Sequence, residues 1–269
     1  MKLSPGIYIH PLDRRIEIQR FWSLLWALVA REFKGRYRRS ILGPLWAVLQ
    51  PLFYMVIFTF LRGVLDIPSD GVPYIIFTYS ALVPWTFFAG TITRCGPSVS
   101  ANSSLVKKIA LPREIFPAAG VMGALIDFCI AATILIVMMI WYQVHITWSL
   151  AWLPFLILLT AILALGIGLG VSALGTYRHD VLFALPFVTQ FWILATPIMY
   201  PLSEVPSAWQ FAYKLNPMVG IIEAFRDVLV KGLSPDMSLL SISITGTVLV
   251  WLVAWPIFRF MSQYFADVL

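Results

Sequence analysis

The sequence predicts an all-α integral membrane protein with six transmembrane helices, and three observations support this fold class. Hydrophobic residues form 60% of the 269-residue chain, and charged residues form only 12%. A water-soluble domain carries about 25% charged residues, because its surface must stay in contact with water. The apolar residues occur in long runs, each of which can cross about 30 Å of hydrocarbon. The basic residues concentrate in alternate connections between these runs, as in multi-pass membrane proteins.

Six apolar runs are candidate transmembrane helices. A helix pairs its backbone amides internally, whereas irregular backbone facing lipid would leave them unpaired. Asp127 in the third run is the only formal charge deep within a predicted span. We expect Asp127 to pack between helices or to be protonated, because a proton relay would need further acids or histidines nearby. The predicted spans are residues 42–61, 72–93, 115–142, 148–177, 181–202 and 238–258.

Loop charges predict the orientation of the chain, because Lys and Arg accumulate on the cytoplasmic side of a membrane. Most of the 19 basic residues lie in the N-terminal segment, in the loop between spans two and three, or at Arg178 and Arg259. Both termini are therefore predicted to be cytoplasmic. Residues 1–20 contain prolines and charges without an apolar core, so we do not expect a cleavable signal peptide.

The segment before the first span is predicted to be an amphipathic helix. Within residues 16–40, apolar side chains recur every four residues from Phe21 to Tyr37, and basic residues lie away from this stripe. We expect this helix to lie in the cytoplasmic interface of the membrane. The chain then divides into an N-terminal segment, residues 1–41, and a six-span domain, residues 42–269.

A second segment outside the spans lies between spans five and six. Residues 203–237 open with prolines, continue with a helically spaced apolar pattern, and end at Gly232 and Pro235. The pattern predicts a short outer helix before the last span, either re-entrant or amphipathic. A helix on the outer surface of the protein would show the same pattern.

Three stretches of basic, aromatic and proline residues occur in a recognisable order. They are REFKGRYRRSILGPLW at residues 31–46 with Gln50-Pro51, LVPWTFF at residues 82–88 with NSSLVKK at 102–108 and LPREIFP at 111–117, and LNPM at 215–218 with FRD at 225–227. Together with the order of the predicted helices, they resemble the membrane subunit of type-2 ABC exporters. The resemblance is strongest to the permeases that export O-antigen and related polysaccharides.

The resemblance implies a homodimer in the bacterial inner membrane with one transport path between the two protomers. Two copies of a separate cytoplasmic ATPase would drive export of a polysaccharide on a polyprenyl pyrophosphate anchor. The sequence agrees on one point independently, because it contains no GxxxxGK[ST] phosphate-binding motif and no Gly-Lys pair. The chain is therefore predicted to be a transport subunit without catalytic residues, metal or cofactor, and ATP hydrolysis is expected on another polypeptide.

The loop between spans two and three has the composition of a docking segment. Leu105, Ile109 and Leu111 form an apolar ridge with charged flanks, which suits a groove on another protein. A solvated, positively charged cytoplasmic loop would have the same composition. The resemblance favours a helix that couples the permease to its ATPase. The residues expected to contact the ATPase are Lys107, Lys108, Pro112, Arg113 and Glu114.

The basic cluster of the N-terminal segment has two possible ligands. Arginine forks match phosphate oxygens, so the cluster could bind the pyrophosphate of the lipid anchor. Ordinary attraction to anionic lipid at the interface would need the same charges. The residues concerned are Arg31, Arg36, Arg38 and Arg39.

Aromatic residues form 15% of the chain, and some lie too deep in their spans for an interfacial belt. Sugar rings present C–H faces that pack on aromatic faces, so aromatic side chains could line a glycan path. Each of these side chains could equally face lipid or fill a packed core. The resemblance implies that spans one and five line the path. The stacking residues predicted there are Phe53, Tyr54, Phe187, Phe191 and Trp192.

Other functions remain open. A permease of this kind could carry capsule, teichoic acid or a small drug, and a passive channel would have a similar composition. A membrane enzyme acting on polyprenyl phosphates would need clustered acids for a metal ion. The acidic residues of the predicted cytoplasmic loops are not paired in this way. A nucleic-acid partner is not expected for so apolar a chain.

Overall fold

The computed structural model describes residues 11–38, 40–108 and 111–269, and every regular element within these ranges is a helix. This architecture confirms the predicted all-α class. Short 3-10 turns precede or follow several of the helices. The α-helices are α1 (Pro11–Tyr37), α2 (Trp46–Leu65), α3 (Tyr74–Ser98), α4 (Ser103–Lys108), α5 (Ile115–Trp141), α6 (Leu153–Tyr177), α7 (His179–Leu194), α8 (Ser207–Lys214), α9 (Pro217–Arg226), α10 (Met237–Ser262) and α11 (Phe265–Val268).

Five segments of the described ranges are long and apolar enough to cross a membrane, and the chain is an integral membrane protein as predicted. These segments contain α2, α3, α5, α6 and α10. The predicted fifth run, residues 181–202, is different, because its helix α7 has 16 residues and ends at Leu194. At 1.5 Å per residue, α7 is about 24 Å long, which is shorter than the hydrocarbon core of a bilayer. Pro197 and Pro201 then prevent the helix from continuing.

Helix α3 is at the centre of the bundle. Of its most apolar stretch, 78% is buried within the protein, against 17–33% for the other four long segments. α5 and α6 pack along α3, and α10 packs on α6. A Cβ at Gly168 of α6 would lie 2.7 Å from the Cβ of Cys95, so glycine permits the close approach of α6 to α3.

The central helix is longer than the sequence predicts. The predicted second span ends at residue 93, before Arg94, because a charge usually marks the end of an apolar run. In the structure α3 continues to Ser98, and the Arg94 side chain is only 6% exposed. A carboxylate on the neighbouring helix neutralises this arginine, so it is buried rather than placed in a loop.

Helix α1 packs against the transmembrane helices. The predicted apolar stripe faces protein, because Leu25 and Val29 are buried in a cluster with Phe116 of α5 and Phe258 of α10. Trp26 lies on another face of the helix and is half exposed. The ends of the transmembrane helices therefore bury this stripe, and the location of α1 in the cytoplasmic interface stays a prediction. We call the end of the bundle that carries α1 the proximal end, and the opposite end the distal end.

Two short helices, α8 and α9, occupy the predicted segment between spans five and six at the distal end. α8 is exposed, whereas α9 is buried against α3, α6 and α10. The Asn216 side chain begins α9 by accepting a hydrogen bond from the Met218 amide at 3.1 Å. Arg226 at the end of α9 is fully buried, with its guanidinium 2.8 Å from Glu223 and 3.8 Å from the ring centre of Phe77. These contacts hold α9 inside the bundle.

Candidate functional site

A polar groove runs between α2, α3 and α7 and has a volume of about 300 Å³. Its lining includes Gln50 of α2, Arg94 of α3 and Gln190 of α7. Uncharged polar side chains in an apolar span are costly in lipid and are expected where they meet protein, water or a transported molecule. We call this cavity the membrane groove. Sequence reasoning missed the two glutamines, although polar residues within apolar runs are a signal that could have found them.

The five predicted stacking residues do not form one surface. Tyr54 lines the membrane groove. Phe53 of α2 and Phe187 and Phe191 of α7 are exposed by 56%, 67% and 72% on the outside of the bundle. Trp192 is different, because it packs into the bundle. These side chains are therefore available to another molecule at four of the five positions.

Trp192 makes edge-to-face contacts with two rings of the central helix. Its ring centre lies 6.4 Å from that of Trp85 and 5.2 Å from that of Phe88. Such pairs stabilise a core beyond the burial of area alone. The contacts place Trp192 in the packing between α7 and α3, whereas the prediction has it as a stacking surface for a glycan.

A charged cluster joins α1 to the central helices near the proximal end of the membrane groove. Arg94 forms an ion pair with Asp127 of α5 and lies 3.9 Å from Glu32 of α1. Glu32 in turn lies 3.9 Å from Arg36. Tyr37 donates a hydrogen bond to Asp127 at 3.0 Å. Asp127 is thus the ion-pair partner of Arg94 and lies between α1, α3 and α5, where it also accepts the hydrogen bond from Tyr37.

The side chains of α1 in this cluster titrate outside their usual ranges. Burial, together with the neighbouring Asp127 carboxylate, raises the pKa of Tyr37 to about 12. The phenol therefore remains a proton donor at neutral pH. Burial also raises the pKa of Glu32, while the Arg94 and Arg36 guanidiniums oppose that shift.

A second cavity, which we call the interface groove, lies between α1 and the proximal ends of α3 and α5. It has a volume of about 350 Å³. Arg36, Thr93 and Arg94 line both the interface groove and the membrane groove. The two grooves therefore adjoin at these three side chains, and we call the adjoining pair of grooves the polar route.

The predicted basic cluster divides into separate environments. Arg31 lines the interface groove and hydrogen-bonds Asn102, and Arg36 lines both grooves. Arg38 is exposed outside them. Arg39 lies outside the described residues. Arg31 and Arg36, the two arginines that line the grooves, are five residues apart on α1.

The predicted docking segment lies at the proximal end. Val106 anchors α4 by packing among buried side chains of α1, α5 and α11, and Arg113 donates a hydrogen bond to its carbonyl at 3.3 Å. Lys107 and Lys108 are exposed. Ile109 of the predicted ridge lies outside the described residues. A depression of about 470 Å³ follows the helix, and its lining includes Pro112, Arg113, Glu114 and Arg259.

Comparisons with known proteins agree with this organisation. The sequence profile of the ABC-2 type transporter family matches residues 23–230. The chain is 28% identical to the O-antigen export system permease protein RfbA of Myxococcus xanthus over 93% of this chain and 97% of that protein. It is 26% identical to the RfbA of Klebsiella pneumoniae over 92% of this chain and 95% of that protein.

A relative with another named role is also similar. The chain is 25% identical to the polysialic acid transport protein KpsM of Escherichia coli, over 77% of this chain and 81% of that protein. The family match covers more than half of the chain and includes α2 to α9. It confirms the resemblance to type-2 ABC exporter permeases. The chain belongs to the ABC-2 type transporter family.

Proposed function

We propose that the chain is the transmembrane subunit of an ATP-driven exporter for polyprenyl-pyrophosphate-linked polysaccharide of the O-antigen type. The observation that carries this proposal is the polar route formed by the interface groove and the membrane groove. An apolar cargo would not need grooves lined by glutamine, threonine and arginine between membrane-spanning helices. The similarity to two RfbA permeases supports a polysaccharide as the cargo.

The lipid anchor of the cargo would enter at the interface groove. Arg31 and Arg36 line this groove, and a guanidinium can bind a phosphate through two parallel hydrogen bonds. The pyrophosphate would rest there while the sugar chain passes into the membrane groove. Arg38 is exposed and would contact anionic lipid. Arg39 lies outside the described residues, and its binding to phosphate or anionic lipid is an expectation from the sequence alone.

The transport path would be completed by a second copy of the chain. Phe53 of α2 and Phe187 and Phe191 of α7 are exposed, and Tyr54 lines the membrane groove. Facing copies of these helices would place aromatic rings around one path, on which sugar rings of different sequence could stack. In this homodimer α7 would complete six spans, both termini would be cytoplasmic, and the protein would reside in the bacterial inner membrane.

Energy would come from two copies of a separate ATPase bound at the proximal end. The exposed Lys107 and Lys108 and the depression beside Pro112, Arg113 and Glu114 would form its docking surface. Membership of the ABC-2 type transporter family supports such a partner. The chain itself would not be an enzyme.

A deletion strain of the bacterium that encodes this chain tests the proposal. Deletion should remove the polysaccharide from the cell surface, and acid-labile lipid-linked polymer should accumulate inside. The wild-type gene should restore export. A deletion strain with unchanged surface polysaccharide would contradict the proposal.

A capsular polysaccharide is a second candidate cargo, favoured by the similarity to KpsM. Structural analysis of the accumulated polymer distinguishes the two. An O-antigen type of polymer would be attached through a pyrophosphate and released by mild acid. A polymer without that linkage would favour the capsule.

A further inference from the structure

A cavity of about 610 Å³ lies at the distal end, far from the grooves described above. The end of α2 and the segment that follows it form one wall, with Leu65 and Asp66. The segment after α7 and the exposed helix α8 form the other wall. We call this cavity the distal vestibule.

Aromatic side chains form much of the wall on the α8 side. Trp209 of α8 is 64% exposed. Tyr200 donates a hydrogen bond to the Leu194 carbonyl at 3.1 Å, and Tyr213 therefore donates to Tyr200 at 2.9 Å. These bonds fix both phenol rings before any ligand arrives. A fixed, partly exposed aromatic wall is typical of ligand sites in which binding needs little reorganisation.

Two carboxylates complete the lining. Asp66 ends α2 in the left-handed backbone region, at φ 51°, and Glu204 lies in the 3-10 turn before α8. Both are exposed, and neither forms an ion pair with another residue in the described part of the chain. An ionised carboxylate only accepts hydrogen bonds. The two acids therefore suit a ligand that donates several hydrogen bonds.

An aromatic wall beside two carboxylates favours a sugar ring as the ligand. A pyranose ring presents a C–H face that packs on an aromatic ring and an edge of hydroxyl groups that donate to carboxylates. An anionic group is disfavoured, because Asp66 and Glu204 would repel it. This repulsion argues against a phosphate or an anionic lipid headgroup, although Trp and Tyr side chains are also common at membrane interfaces.

We propose that the distal vestibule is a second glycan-binding site, which holds an uncharged sugar ring of the polymer as it leaves the membrane. The proposal rests on the proposed function and adds a contact at the exit end. It assigns Trp209 to stacking on the sugar face, and Asp66 and Glu204 to its hydroxyl groups. It also makes a polymer of neutral sugars a better ligand than a polymer of acidic sugars.

Photocrosslinking in the exporting bacterium tests the site. The photoreactive amino acid p-benzoylphenylalanine replaces Trp209 in the full chain, and in a control it replaces Trp148, which is 95% exposed at the same distal end. Illumination should convert the position-209 protein into a high-mass smear that periodate removes, because periodate cleaves vicinal diols of sugars. The position-148 protein should give no such smear.

Export measurements supply a second readout. Trp209→Ala should lower surface polysaccharide per copy of protein about fivefold, the change that corresponds to loss of about 1 kcal/mol of aromatic contact. Trp209→Phe should retain most of the export, because a ring face remains. Trp148→Ala should export like the wild type.

The outcomes separate the two proposals. If the wild-type gene fails to restore surface polysaccharide to the deletion strain, the proposed function is wrong and the vestibule proposal is overturned with it. If export is restored but position 209 gives no adduct, or only an adduct of phospholipid size, the vestibule is not a glycan site. Equal sugar adducts at positions 209 and 148 would also overturn it.

Discussion

Arg94 of α3 forms an ion pair with Asp127 of α5, and both side chains lie inside the helical bundle. Tyr37 of α1 donates a hydrogen bond to the same carboxylate. One charged pair therefore connects the central helix, a neighbouring transmembrane helix and the N-terminal helix. The same arginine lines both grooves of the polar route.

The ion pair should show strong coupling in a double-mutant cycle. Arg94→Met or Asp127→Leu alone leaves a buried charge without its partner and should cost about 3 kcal/mol of stability. The double variant should cost much less than the sum of the two, because it leaves neither charge behind. Thermal unfolding of the detergent-solubilised protein measures all three, with Arg38→Gln as an exposed control. Additive losses would show that the two side chains do not interact.

The hydrogen bond from Tyr37 should hold α1 against the bundle. Tyr37→Phe removes a bond to a charged acceptor, which contributes about 1.5 kcal/mol or more. Hydrogen exchange should then accelerate in α1 and remain unchanged in α10. Phe33→Leu, on the same helix, provides a control that removes a ring without removing a hydrogen bond to Asp127. Unchanged exchange in the Tyr37→Phe variant would mean that lipid, rather than this contact, positions α1.

Much of this fold follows from the sequence, and the exceptions have physical causes. The apolar runs predict α2, α5, α6 and α10, because the cost of exposing polar groups to lipid acts on each run by itself. The end of α3 was placed too early, since only the fold shows that Asp127 neutralises Arg94. The apolar stripe of α1 follows from the sequence, but the side chains of α5 and α10 that bury it do not, because periodicity identifies an apolar face without identifying what covers it.

The candidate site was predicted less completely. Tyr54, Phe187 and Phe191 occupy accessible positions, whereas Trp192 packs on Trp85 and Phe88. Exposure is a property of the assembled bundle, and all these residues look alike in an apolar run. The carboxylates and aromatic rings of the distal vestibule come from separate parts of the chain, so no single sequence motif predicts this site.

The aromatic residues should separate into two phenotypes. Trp192→Ala removes packing within the bundle and should lower the yield of folded protein, with a loss of about 3 kcal/mol. Phe187→Ala and Phe191→Ala remove exposed rings and should leave yield near normal while reducing export of long polymer. Detergent-stable protein and surface polysaccharide are scored for each, together with Phe53→Ala and Tyr54→Ala. If export falls only in proportion to protein level for every variant, the stacking role fails.

The docking segment should bind the ATPase through its exposed charges. Lys107→Glu with Lys108→Glu reverses two exposed charges and should reduce co-purification of the ATPase without changing membrane insertion. Lys34→Glu, an exposed basic residue of α1, should leave co-purification unchanged. Normal assembly of the Lys107/Lys108 variant would return this segment to the role of a solvated loop.

The close packing of α9 on α10 depends on Gly220. A Cβ at Gly220 would collide with Ser243 and the Leu239 carbonyl of α10, so Gly220→Ala should destabilise the protein. Gly90→Ala in α3 meets no atom within 4 Å and should be neutral or stabilising by up to about 1 kcal/mol, as alanine favours a helix over glycine. Thermal unfolding compares the pair. Equal stability of the two variants would mean that α9 packs less closely than described.

The most direct test of the proposed export is translocation by purified components. Proteoliposomes that contain this chain and its ATPase, oriented with the ATPase outside, are supplied with the lipid-linked polymer and ATP. The polymer should become protected from an external glycosidase only when ATP is hydrolysed, and Gln190→Leu in the membrane groove should reduce that protection while ATPase binding persists. Steady ATP hydrolysis by the wild-type complex without any protection of the polymer would contradict polysaccharide export by this protein.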